Sequence, residues 1–185
     1  MATQAASTSS SSSSSSPSPS SSPRWNYDVF LSFRGDDTRN SFTDHLYAAL
    51  EQRGINTFKD DEKLEQGKVI SPELLKAIEE SQFAIIVLSR NYATSKWCLI
   101  ELAKIIECKK KMEMTVLPIF YHVKPYEVQH QIGTFGEAFA KHEKDQKANI
   151  VDVQTWKDAL REVGNIFGWH VDNRYHFSFL LSVRT

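Results

Sequence analysis

Apolar strand-like runs that alternate with amphipathic helical stretches predict an α/β fold built on a parallel sheet. The strongest single indication is Phe83-Ala84-Ile85-Ile86-Val87-Leu88, which is apolar throughout, as a strand covered on both faces must be. Five such strands fit a three-layer, flavodoxin-like α/β arrangement with sheet order 2-1-3-4-5. In sheets of this kind ligands bind beyond the carboxyl ends of the strands. A site is therefore expected among the loops after Phe33, Phe58, Leu88 and Tyr121.

Tyr27 to Phe33 is β-rich and ends at Arg34-Gly35, which reads as a buried strand followed by a turn. Phe42, Leu46, Ala49 and Leu50 recur at helical spacing, and Gly54 closes that helix. Ile55 to Phe58 is the second strand, and the polar stretch Lys59 to Ile70 is a loop. Ser71-Pro72-Glu73 opens a helix, with Ser as N-cap and Pro in the first turn. Phe83 to Leu88 is the third strand, and a long helix runs from about Ser95 to Lys111. Val116 to Tyr121 is the fourth strand, with irregularity expected at Pro118. Gly133 to His142 and Val153 to Val163 are helical in pattern, and Phe167 to Val171 forms a short last strand. There is no internal repeat.

The 185 residues suggest one folded domain, and 41% hydrophobic with 24% charged residues is ordinary for a globular chain. Residues 1–24 are mostly Ser, Pro and Thr and read as a disordered leader. Residues 25–175 form the domain, and 176–185 are an atypical apolar end. The leader lacks the n- and h-regions of a secretory signal. It is Ser-rich and acid-poor like a transit peptide, but its first basic residue is Arg24, so the basic amphipathic helix is missing. No run reaches the roughly 18 to 20 apolar residues of a membrane span.

A net charge of -1 gives no electrostatic case for nucleic acid or an anionic membrane as partner. Cys98 and Cys108 fall on one helix, about 15 Å apart along its axis, too far for a disulfide. A reduced, intracellular compartment, cytoplasmic or nuclear, is the better reading.

The first strand's loop, Phe33-Arg34-Gly35-Asp36-Asp37-Thr38-Arg39, carries only one glycine, against the three of a dinucleotide fingerprint. The third strand ends Leu88-Ser89-Arg90-Asn91 without the Asp of a phosphoacceptor site. The two arginines could hold phosphate or pair with the acids beside them. The charge run Asp60 to Lys68 is either a solvated face or a lid over the strand ends. Trp97 and Glu101 share a helix face, with Cys98, Leu102 and Ile105 nearer the core. That pair is either an apolar wall beside a functional carboxylate, able to hold a cationic ring, or a core Trp with a partly exposed structural Glu. The six histidines show no metal-ligand spacing with the cysteines, so no metal is expected. No Gly-x-Ser-x-Gly turn appears.

Together these segments resemble one family. Tyr27 to Arg39 looks like the opening motif of plant TIR domains, found at the front of many intracellular immune receptors. Ala77-Ile78-Glu79-Glu80-Ser81, Ser89-Arg90-Asn91-Tyr92-Ala93, Trp97-Cys98-Leu99-Ile100-Glu101-Leu102, Val116 to Tyr121, Phe135-Gly136-Glu137-Ala138-Phe139 and Gly168-Trp169-His170 fit the same pattern. The resemblance spans about Tyr27 to Tyr175. It implies the same five-stranded sheet, and hydrolysis of NAD⁺ (or NADP⁺) as substrate, with no cofactor. The products would be nicotinamide and ADP-ribose, or its cyclised and variant forms, acting in plant defence.

The resemblance further implies a catalytic Glu101, and a nucleotide-contacting segment of Phe33, Arg34, Gly35, Asp36, Asp37, Thr38 and Arg39. Glu65, in a loop beside the site, and Trp97 join it. Activity in the family depends on self-association, with itself or with other TIR-domain proteins. One surface uses a Ser-His pair on the first helix; here Asp44-His45 stands in its place. After Asn173-Arg174-Tyr175 the family continues into an amphipathic helix, whereas His176 to Thr185 reads as an altered or truncated end, with no further module after it. An NAD⁺ hydrolase active on self-association is one expected function. A catalytically weak adaptor that docks on other TIR proteins is the other.

Overall fold

The computed structural model describes residues 25–59, 71–145 and 149–172. The sequence's serine-rich leader, its loop residues 60–70 and the end from 173 onward, which includes the apolar stretch 176–185, lie outside the described residues.

Five parallel strands form one sheet in the order β2-β1-β3-β4-β5. They are β1 (Tyr27–Phe33), β2 (Thr57–Lys59), β3 (Ser81–Leu88), β4 (Thr115–Tyr121) and β5 (Trp169–Val171). The expected fold class is therefore observed. Alternation along each strand divides the core in two. Val29, Leu31, Phe33, Ile85 and Val87 face one cluster, which Phe42, Leu46 and Leu50 complete. Phe30, Ala84, Ile86 and Leu88 face the other. The first cluster lies under α2 (Asp44–Glu51). The second lies under α3 (Pro72–Glu79), α4 (Lys96–Met112), α6 (Thr134–Lys144) and α7 (Ile150–Gly164).

Two helix starts are capped by serine, the first as read from sequence and the second at the expected start of the long helix. Ser71 Oγ accepts from Leu74 N at 3.2 Å, and Ser95 Oγ accepts from Cys98 N at 3.3 Å. Gly54 adopts φ +71°, which lets the chain leave α2 and turn into β2.

Four expectations are corrected. The segment after β1 is not a loop but short helix α1 (Gly35–Thr38), followed by a wide turn over Arg39–Thr43, in which Asp44 N–H reaches the Arg39 carbonyl. Its charged, Gly-containing sequence has no apolar periodicity to announce a helix. The second strand starts two residues later than expected, because Asn56 binds Asp28, its N–H donating to the carboxylate at 2.8 Å. A helix not foreseen, α5 (Pro125–His130), follows β4; it buries only Val128. Finally, β4 runs unbroken through Pro118. Its ladder with β5 begins only at Ile119, so the absent N–H falls outside that ladder. Gly168 makes this junction close: a Cβ there would stand 2.3 Å from the Pro118 carbonyl oxygen.

No helix among the described residues is long and apolar enough to cross a membrane.

Candidate functional site

α4 buries Cys98, Leu99, Glu101, Leu102, Ile105, Ile106 and Cys108 along one stripe. Glu101 is therefore a carboxylate set into an apolar stripe, only 4% exposed. Glu101 is buried rather than partly exposed: α4 turns it toward the sheet with Cys98, three residues before it, rather than toward solvent. An ion buried without partners costs on the order of several kcal/mol, so polar partners are needed. Ser32 supplies one, its Oγ donating to Glu101 Oε2 at 2.7 Å. Strand alternation places it there. Leu31 and Phe33 face the α2 side, so Ser32 faces α4. Ser32 Oγ also lies 2.9 Å from Tyr92 Oη, whose single proton can go to Ser32 Oγ or to the Cys98 carbonyl oxygen 3.0 Å away.

This pocket of polar atoms is closely coupled. Burial pushes the Tyr92 phenol well up, and the neighbouring Cys98 and Glu101 add to it. Burial likewise drives the Cys98 thiol far up, helped by the Glu101 carboxylate and opposed more weakly by Ser95 and Arg34. Trp97, one turn before Glu101, is half-buried against the same core, and its indole Nε1 is buried with no hydrogen-bond partner among the described residues.

The segment after β1 divides into residues turned outward and residues used internally. Arg34 pairs with Asp36 at 3.0 Å and lies 3.8 Å from Asp37, while its buried Nε has no hydrogen-bond partner among the described residues. Arg39 lies over the Phe33 ring at 5.1 Å and beside Gly35, where a Cβ would stand 3.0 Å from its Nε. Asp37 is committed to the third strand's end: its carboxylate accepts from Ser89 Oγ (2.6 Å), Asn91 N (3.0 Å) and Asn91 Nδ2 (3.2 Å). Thr38 is buried, donating to the Arg34 carbonyl and accepting from Thr43. Asp37 and Thr38 thus brace the loop internally, whereas Arg34, Asp36 and Arg39 form its polar outer part.

A groove of about 390 Å³ opens over the carboxyl ends of β1, β3 and β4. Asp37, Ser89, Arg90, Asn91, Tyr121 and His122 line it. It sits where the sheet order reverses between β1 and β3, as expected for this topology. Glu101 does not line it.

Asp44 and His45 are exposed at the start of α2, and Lys59 pairs with Asp44 at 2.9 Å. Glu65 lies outside the described residues. Among the described residues no group of three or more His, Cys, Asp or Glu side chains is placed to hold a metal ion. Sequence reading missed Ser32 and Tyr92. The available signal was the single hydroxyl in the otherwise apolar run Val29-Phe30-Leu31-Ser32-Phe33.

The sequence model of the family described as TIR domain matches residues 26–184. The chain is 57% identical over 154 residues to the TMV resistance protein N of Nicotiana glutinosa, covering 83% of this chain and 13% of that protein. It is 58% identical over 172 residues to the disease resistance protein RPV1 of Vitis rotundifolia, covering 92% of this chain and 12% of that one. The chain thus spans about an eighth of the length of these relatives. Among solved structures, the TIR domains of the activated Roq1 resistosome, which directly recognizes the pathogen effector XopQ, superpose with a TM-score of 0.76. They are 46% identical, with 85% of this chain and 97% of that one covered.

Proposed function

This chain belongs to the TIR domain family, and on that premise we propose that it is an NAD⁺ hydrolase of plant immune signalling, with Glu101 as the catalytic carboxylate and activity gained on self-association. The observation that carries this reading is the buried, hydrogen-bonded Glu101 at the position where the family keeps its catalytic glutamate.

The chemistry suits a single carboxylate. Ordinary glycosidases need an acid to protonate the leaving group and a second carboxylate. In NAD⁺ the nicotinamide is already cationic. When its bond to the ribose carbon breaks, it keeps the electron pair and leaves neutral, so no acid is required. Glu101 stabilises the positive charge that develops on the ribose, more strongly in a water-poor site than it would in solvent. Water then adds to that carbon and releases a proton, giving ADP-ribose. Trp97 forms an apolar wall one turn away, and Arg34 and Arg39 supply cations for the diphosphate. NAD⁺, or NADP⁺, is substrate and not cofactor. Glu101 meets substrate only after the site opens, which accords with activity that depends on assembly. The partners are further copies of this chain and other TIR domains, since the TIR domains of the Roq1 resistosome are themselves part of an assembly.

The test is NAD⁺ loss by the protein clustered on beads, wild type against Glu101→Ala. Nicotinamide release should fall by about 100-fold or more in the variant, with circular dichroism unchanged. Equal inertness of both proteins under clustering would defeat the enzyme reading. The near-complete burial of Glu101 favours a second reading, a docking module that tunes other TIR assemblies. That reading fails if the chain binds neither itself nor any partner TIR domain.

A further inference from the structure

The NAD⁺-cleavage reading assigns Glu101 its role but leaves two fully buried hydroxyls beside it without one. We propose that Ser32 and Tyr92 are positioning residues for Glu101, forming a hydrogen-bond chain that fixes one carboxylate oxygen and reverses its direction when the carboxyl gains a proton; the proposal rests on the reading of Glu101 as the catalytic group.

Proton counting supports this. A hydroxyl has one proton to donate and lone pairs to accept with, and an ionised carboxylate only accepts. Ser32 must therefore give its proton to Glu101 Oε2 at 2.7 Å. Its remaining contact, 2.9 Å from Tyr92 Oη, is then filled by the Tyr92 proton. The direction is Tyr92 to Ser32 to Glu101, each donor polarising the next. When Glu101 is protonated, the same atoms accept the opposite order. The carboxylic acid donates to Ser32 Oγ, Ser32 donates to Tyr92 Oη, and Tyr92 donates to the Cys98 carbonyl at 3.0 Å. Every proton has an acceptor in both states, so the carboxyl keeps its place in both.

Placement distinguishes this chain from ordinary core satisfaction. Ser32 is on β1, Tyr92 is on the short 3₁₀ turn Tyr92–Thr94, and Glu101 is on α4. Three separate elements converge on one carboxylate. With Glu101 protonated, Tyr92 donates to the α4 backbone at Cys98, so in that state the chain fixes the helix that carries Glu101 as well as its side chain. A strand needs no hydroxyl at position 32, and a core needs none at position 92; Ala and Phe would fill the same space.

The test uses the full chain, clustered on beads, with Ser32→Ala, Tyr92→Phe and Glu101→Gln. Ser32→Ala should lower kcat by about 10- to 100-fold with KM for NAD⁺ within about twofold. The acid limb of its kcat profile should move to higher pH, because the charged carboxylate has lost a donor. Tyr92→Phe should shift both in the same direction by less. A fall in kcat that only follows the loss of thermal stability, with the acid limb unmoved, would overturn the proposal. A readout independent of turnover is the ring carbon next to the Tyr92 hydroxyl, observed by NMR in ¹³C-tyrosine protein. Glu101→Gln should move that resonance in the wild-type background and leave it in place in the Ser32→Ala background. Equal movement in both backgrounds, or none in either, would overturn the chain whatever the activity. Coupling present with Glu101→Gln still active would uphold the chain and reject the NAD⁺ reading instead.

Discussion

At position 98 a thiol lies under full burial, donating to the Phe33 carbonyl at 3.6 Å. Burial, and next the Glu101 carboxylate, push its ionisation far up. Cys108 is also buried and raised by that burial, with Lys104 pulling it back only in part. The reactive species of cysteine is the thiolate, so neither side chain is a nucleophile in the folded protein. Iodoacetamide at mildly alkaline pH should label neither until denaturant unfolds the chain. Labelling of folded protein faster than global unfolding would contradict this. Single residues were also where the sequence was least legible. Helical spacing put Cys98, Leu102 and Ile105 on the core side, as observed, but it could not say whether Glu101 one step round the wheel met solvent or the sheet. That depends on how α4 is rotated against β1, which spacing within α4 does not contain. Asp37 is a similar case. Its charge announced a polar role, but not that its carboxylate accepts three hydrogen bonds from Ser89 and Asn91, over fifty positions away in sequence.

Between elements, α4 and α7 are held by an apolar seam and by a clamp at the end of α4. Lys110 meets Glu162 at 2.6 Å and Lys109 meets it at 3.2 Å. Both lysines sit in the last turn of α4, where they also oppose the negative end of the helix dipole. Burial resists ionisation of Glu162, but the two lysines outweigh it and hold the carboxyl below its usual range. A carboxyl lowered on folding adds stability above its unfolded pKa, and that stability disappears as pH falls through the folded value. Lys110 is mostly exposed, so the clamp counts as a surface pair of about 0.5 to 1 kcal/mol. In urea titrations Glu162→Gln should be less stable than wild type by that amount at pH 7. The gap should close as pH drops below the ordinary carboxylate range. A gap unchanged at low pH would show that the variant acts through packing. Elements were legible where local chemistry announces them. Ser71 caps the helix it was expected to cap, and the long helix starts beside Ser95 as expected. The missed α5 did carry a signal, Pro125 in its first turn and Glu127 accepting from Lys124 N at 2.8 Å. With Val128 as its one buried residue, it lacked the apolar stripe by which longer helices are recognised.

For the whole molecule, the sheet order and the place of its switch point were legible in the alternation of apolar strands and helices, while the state in which the site is proposed to work is a property of more than one chain. The proposed assembly uses the start of α2, where Asp44 and His45 are exposed. In a twofold interface a residue near the axis meets its own copy. Asp44 would then face a second Asp44, with repulsion reduced but not removed by the Lys59 contact at 2.9 Å. Replacing Asp44 with Ser removes one negative charge from each side and leaves Lys59 over the Tyr47 ring at 4.7 Å. Relief of one exposed like-charge pair is on the order of 1 kcal/mol, or about fivefold in association. Asp44→Ser should therefore lower the concentration for half-maximal NAD⁺ loss about fivefold, with the plateau rate per chain unchanged because Glu101 and its partners are untouched. Sedimentation should show the same shift toward larger species at equal concentration. High salt should narrow the difference between variant and wild type, since exposed charges are screened. If the two proteins associate and turn over NAD⁺ identically across the concentration series, α2 is not an assembly surface, and the proposed opening of the Glu101 site must be sought on another face.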